Sequence, residues 1–95
     1  MYLDEKRQGE VQSPSKGSMI SWIVANKDPN ETYYWLRKDG CACHQYGQAI
    51  GRPFDINDPN DGEMWSKLDL IARPYPFMNT SETFGNLLER LRATL

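Results

Sequence analysis

Larger apolar side chains are sparse over the first eighteen residues and then come in short clusters separated by turn-forming residues. Residues 1–18 hold only Met1, Tyr2, Leu3 and Val11 among charges, Gln, Ser, Gly and a Pro. That is too little apolar surface to offset the entropy of ordering, so the pattern predicts a flexible arm, with Tyr2 and Leu3 as a short anchor that orders on binding. A single domain is expected over 19–95. Its first cluster, Met19-Ile20-Ser21-Trp22-Ile23-Val24-Ala25, is rich in branched and aromatic residues and closes on Asn26-Lys27-Asp28-Pro29-Asn30. Those features predict a strand followed by a turn. Thr32 to Lys38 then leads into Asp39-Gly40, a dipeptide that supplies the positive φ angles of a two-residue hairpin turn, and on to Cys41–Tyr46. A β-hairpin is the expected result.

Gly47, Gly51, Pro53, Pro59 and Gly62 break the following stretch into a loop carrying Asp55, Asp58 and Asp61. From Glu63 to Arg73, Met64, Leu68, Ile71 and Ala72 fall on one helical face, which predicts a helix, although Leu68 and Leu70 would also suit a strand. Pro74-Tyr75-Pro76 must be extended. Asn79 followed by Glu82 has the form of a capping box, and Phe84, Leu87, Leu88, Leu91 and Leu95 recur at helical spacing. The whole predicts an α+β domain: a small antiparallel β-meander of about three strands with one or two helices packed on one face, the last of them amphipathic.

The hairpin register decides which side chains share a face. With Asp39 and Gly40 at the turn, Tyr34, Leu36, Lys38, Cys41, Cys43 and Gln45 lie on one side. Tyr33, Trp35, Arg37, Ala42, His44 and Tyr46 lie on the other. Leu36 and the two cysteines make the first side the expected core. Tyr33, Trp35, Arg37, His44 and Tyr46 then form an exposed surface of the residue types enriched in binding hot spots. The competing reading puts Tyr33 and Trp35 in the core beneath the C-terminal helix, with Arg37 reaching the rim.

Composition narrows the function classes. The 95 residues carry 11 Lys and Arg against 13 Asp and Glu, a net charge of −2 that gives no field to attract a phosphate backbone. Nucleic acid is therefore the less expected partner, and its version of the function has sheet aromatics stacking on unpaired bases while Arg37, Lys38 and Arg52 contact phosphates. No apolar run is long enough to span a bilayer, and the first residues lack the hydrophobic segment of a secretory signal. A cytoplasmic setting without membrane attachment is the expectation.

Cys41-Ala42-Cys43-His44 suggests zinc, but a structural site usually has four ligands, and on a strand His44 points away from both cysteines. A disulfide across one residue would be strained, so a reduced thiol pair is expected. Asp55 to Glu63 fails the spacing of a calcium loop, and Gly47 to Arg52 that of a phosphate loop. His44 is the sole histidine, set beside Cys43 with opposite direction, so no Cys–His or Ser–His catalytic pair is expected.

The reading that results is a small non-enzymatic binding, inhibitor or accessory protein, of the kind phages and mobile elements encode, that occludes a partner protein's surface and uses no cofactor. Its partner residues are Tyr33, Trp35, Arg37, His44 and Tyr46. The alternatives are a single-stranded nucleic-acid module and a small zinc or redox protein built on Cys41, Cys43 and His44. A homodimer through a strand edge or the aromatic face fits the same pattern.

Overall fold

A computed structural model describes residues 13–34, 40–73 and 81–95 of the chain. Ser15 starts its first element. With extended backbone (φ −160°, ψ 162°), its side-chain oxygen accepts the N–H of Ser18 at 3.1 Å, and helix α1 follows over Lys16–Asn26. The strand expected at residues 19–25 is therefore a helix. Branched and aromatic residues disfavour helix by only a few tenths of a kcal/mol each. The cap is worth about 1 kcal/mol, and burying Met19 and Ile23, one helical turn apart, is worth roughly 1.5–3 kcal/mol apiece. Tertiary burial and a cap together outweigh the local preference.

The expected hairpin is also replaced. Strand β1, Thr32–Tyr34, pairs antiparallel with β2, Ser81–Thr83, and Tyr33 stands opposite Glu82. Cys41 to Tyr46 is not its partner strand: helix α2 covers Ala42–Ile50, with Cys41 as N-cap residue. Asp39, half of the expected turn, lies outside the described residues, as do the proline connector and Asn79. Ala42, Cys43, Tyr46 and Gly47 recur at helical spacing and are buried. The helix stops at Gly51, whose left-handed backbone (φ 79°, ψ 14°) directs its N–H to the Gly47 carbonyl.

The acidic loop is a turn only partly solvated, because Asp61 is buried and pairs with Arg52 while Asp55 and Asp58 serve the backbone. Asp55 accepts the N–H of Asn57, and Asp58 accepts those of Asn60 and Asp61, so the carboxylates satisfy local backbone donors. Helix α3, Gly62–Ala72, agrees with its sequence expectation to within a residue at each end, and it buries Trp65, Leu68 and Ala72. The C-terminal helix α4, Phe84–Ala93, is capped by Thr83, which accepts the Asn86 N–H at 3.2 Å. Its Phe84, Leu87 and Leu91 are buried and Leu88 packs at their edge, while Leu95 is exposed.

The class is α+β, with four helices and a two-stranded antiparallel sheet among the described residues in place of the three-stranded meander. Helix α4 packs on α1 and α3, and α3 on α2. A chain of aromatic rings crosses this core. Phe54, Trp65, Tyr46, Trp22, Phe84 and Tyr33 follow one another at centroid separations of 5.4, 5.7, 5.7, 5.9 and 5.0 Å. These tilted and edge-on contacts tie the helices and β1 into one core. No helix among the described residues is long and apolar enough to cross a membrane.

Candidate functional site

Of the five residues expected to form a partner-binding face, Tyr33 and Tyr46 are buried in the core. Tyr33 is 1% exposed. Its ring packs on Phe84, and its hydroxyl donates to the Ala72 carbonyl at 2.5 Å and accepts from Arg90 Nη2 at 3.2 Å. Tyr46 is fully buried between Trp22 and Trp65, and its hydroxyl accepts the Ser15 N–H at 3.2 Å. His44 is half-buried on α2, and Trp35 and Arg37 lie outside the described residues. The face depended on a strand register between Tyr33–Arg37 and Ala42–Tyr46. With the second segment helical that register does not exist, and the core reading applies to Tyr33.

What the structure does assemble is a thiol cluster. Because α2 begins at Ala42, Cys41 occupies the position from which a side chain folds back over the first turn. Its sulfur, that of Cys43 and a carboxylate oxygen of Asp69 on α3 all lie within 4.8 Å of one another. Both cysteines are free and buried; Cys41 is 5% exposed and Cys43 is completely enclosed. The two thiols are therefore inequivalent. A hydrogen bond from the Cys43 thiol favours the ionised form of the Cys41 sulfur, and the N–H groups of His44 and Cys43 at the helix N-terminus assist, short of a full side-chain cap bond. Against the opposing effect of burial, these lower the Cys41 thiol from 9.0 to about 7. The same bond, now to be given up, together with burial raises Cys43 well above its ordinary value.

Asp69 sets the electrostatics on the far side. Its carboxylate pairs with Arg73 Nη2 at 3.3 Å and is largely sheltered. Two thiols and a carboxylate this close could hold a soft cation. However, a closed tetrahedral site takes four ligands, and the described residues bring three together. A guanidinium already neutralises the carboxylate, and it would repel a metal ion placed beside it. His44, the third member of the alternative zinc set, is not in the cluster. Asp69 is there in its place, and no local signal marks it, because only the packing of α3 on α2 brings it to the thiols. A helical reading of 42–50 would have placed Cys41 at a helix start, and that was the missed cue.

A second concavity, between α1 and α4, is lined by Ile23, Val24, Lys27, Pro29, Phe84, Gly85 and Leu88 and has a volume of about 190 Å³. It is smaller than the roughly 300–1,000 Å³ typical of small-molecule sites and carries no converging polar groups apart from Lys27. Comparisons with protein-family models, with curated proteins and with solved structures found no match to the chain.

Proposed function

We propose that the protein works through a reversible dithiol–disulfide couple, with Cys41 as the attacking thiolate and Cys43 as the resolving thiol. The observation that supports this is the placement of the two sulfurs and the Asp69 carboxylate within 4.8 Å of one another at the start of α2. Helical geometry at Ala42 separates the Cα atoms of its two neighbours by about 5.4 Å, within the roughly 4.4–6.8 Å that a disulfide spans. The small ring would be strained, which favours ready reduction and so suits a couple that turns over better than a structural cross-link.

The chemistry follows from the inequivalence of the thiols. Cys41 is partly ionised near neutral pH and forms the first bond to an electrophile. Cys43 keeps its proton until Cys41 has reacted. It then gives that proton to a base, for which Asp69 is in place, and attacks the Cys41 sulfur, expelling whatever group was attached there. A dithiol reductant reverses the cycle.

The test is intact-mass and thiol-counting analysis of the full chain held in thiol–disulfide redox buffers until no further change occurs, so that even slow exchange at the buried sulfurs reaches equilibrium. A single internal disulfide should form in the folded protein, with a midpoint between about −270 and −120 mV, the span of exchanging dithiols. Its absence, or its formation only in denaturant, would refute the reading.

A further inference from the structure

We infer that the oxidant of the Cys41–Cys43 pair is a small hydroperoxide such as hydrogen peroxide, not a protein or glutathione disulfide; this rests on the dithiol reading above. Access is the first ground. Attack on a disulfide requires three sulfurs in line, with carbon substituents on both sulfurs of the substrate, and so needs an open sulfur beside a groove that accepts those substituents. Cys41 is 5% exposed and Cys43 is enclosed. Among the described residues, neither the concavity between α1 and α4 nor the one at Gly47, Gln48, Gly51 and Pro53 includes Cys41. Hydrogen peroxide, little larger than water, needs no such groove.

Charge placement is the second ground. As the thiolate attacks one peroxide oxygen, negative charge builds on the departing oxygen, and stabilisation must come from fixed donors. The first-turn N–H groups of α2 favour the Cys41 thiolate before attack, and the Arg73 guanidinium, 3.3 Å from Asp69, is a cation beside the cluster that can offset charge on the departing oxygen. The carboxylate can also accept a hydrogen bond from the peroxide O–H. An apolar thiol pocket would offer none of these, and an isolated exposed thiol would offer them only from water.

The reaction balances in two steps. The Cys41 thiolate takes the near oxygen of HOOH, forming an S–O bond as the O–O bond breaks, and hydroxide leaves to be protonated to water; Cys41 is now the sulfenic acid. Cys43 then loses its proton and forms the S–S bond, and the sulfenic hydroxyl departs with a proton as the second water. Two thiols are oxidised by two electrons and one peroxide is reduced to two waters.

The experiment compares oxidants on the reduced full chain. Hydrogen peroxide, cumene hydroperoxide and oxidised glutathione are supplied at equal excess, and disulfide formation is followed by quenched mass analysis. Hydrogen peroxide should act fastest, about tenfold or more above free cysteine at pH 7, because the thiolate fraction of Cys41 far exceeds the few per cent of an ordinary thiol. Cys43→Ser should accumulate a dimedone-trappable sulfenic acid at Cys41, and Asp69→Asn should slow closure of the disulfide more than formation of that acid. Faster oxidation by glutathione disulfide, with a mixed disulfide at Cys41, would overturn the peroxide assignment and leave the dithiol reading standing. Failure of every oxidant to close the disulfide in the folded wild-type chain would overturn both. The oxidant comparison uses no variant, so it holds even if a substitution at this buried site prevents folding.

Discussion

Replacing Tyr33 with Phe removes one oxygen from the middle of the fold and leaves the ring against Phe84 in place. The oxygen donates to the carbonyl of Ala72, the last residue of α3, and accepts from Arg90. Without it the Ala72 carbonyl loses its phenol donor in a buried setting, a change that costs about 1–3 kcal/mol. Arg90 is less affected. Its side chain is 33% exposed, and it still donates to the Ile71 carbonyl and to Glu82. A net loss of about 2 kcal/mol is expected, equivalent to roughly 8–16 °C in Tm for a domain of this size. Urea unfolding followed by far-ultraviolet circular dichroism would show it as a lower midpoint at unchanged slope.

The same variant carries a pH signature. Burial, the largest influence on the Tyr33 phenol, raises its pKa above the ordinary value of 10.0, with Arg90 opposing. The unfolded chain ionises this phenol first, so its contribution to stability is complete below about pH 10 and is lost as pH rises from there toward the folded value. The gap between wild type and Tyr33→Phe should therefore narrow above pH 10. A variant within about 0.5 kcal/mol of wild type at neutral pH, or a gap that widens in alkali, would refute the reasoning.

Three further substitutions probe the loop and the start of α4. Arg52 Nη1 meets Asp61 Oδ2 at 2.5 Å, and the Asp61 side chain is only 9% exposed, so Arg52→Ala should cost about 2–3 kcal/mol by leaving a sheltered carboxylate unpaired. Adding Asp61→Asn should recover part of that loss in urea melts, whereas a larger loss in the double variant would contradict the ion-pair account. A Cβ on Gly85 would lie 2.8 Å from the Pro29 carbonyl oxygen and 3.2 Å from its Cβ, while the Gly85 N–H donates to that same oxygen. Gly85→Ala should therefore destabilise by about 1–3 kcal/mol despite alanine's better helix propensity, and a stabilised variant in thermal melts would show that the contact is slack.

The sequence carried clear signals where periodicity was undiluted. Leu68 and Ala72, and then Phe84, Leu87 and Leu91, repeat at helical spacing among polar neighbours, and both helices are where that spacing puts them. Around Trp22-Ile23-Val24 almost every position is apolar, so the Met19–Ile23 repeat that is buried cannot be distinguished from the exposed Val24. The deciding feature was Ser15, which lay in a segment expected to be a flexible arm. Asp39-Gly40 suggested a hairpin to a local reading, but the partner of β1 lies at residues 81–83, and pairing over that separation leaves no mark in sequence spacing. The hairpin error moved the site residues. Tyr33 and Tyr46 became core, and Cys41 became the outer member of a cluster completed by Asp69.

The strand pair also bears on the order in which the molecule assembles. Helices α2 and α3 both lie between β1 and β2 in the chain, so their mutual contacts involve much shorter loops than the β1–β2 pairing that encloses them. Loop-closure entropy favours the inner pair forming first and the ribbon closing afterwards, with Tyr33 and Arg90 joining it to the end of α3. A ribbon of three residues a side also has few amide bonds to hold it, so its hydrogen exchange should proceed by local opening at a smaller free energy than global unfolding. The cysteines and Asp69 belong to the inner unit, which keeps its own contacts during such openings.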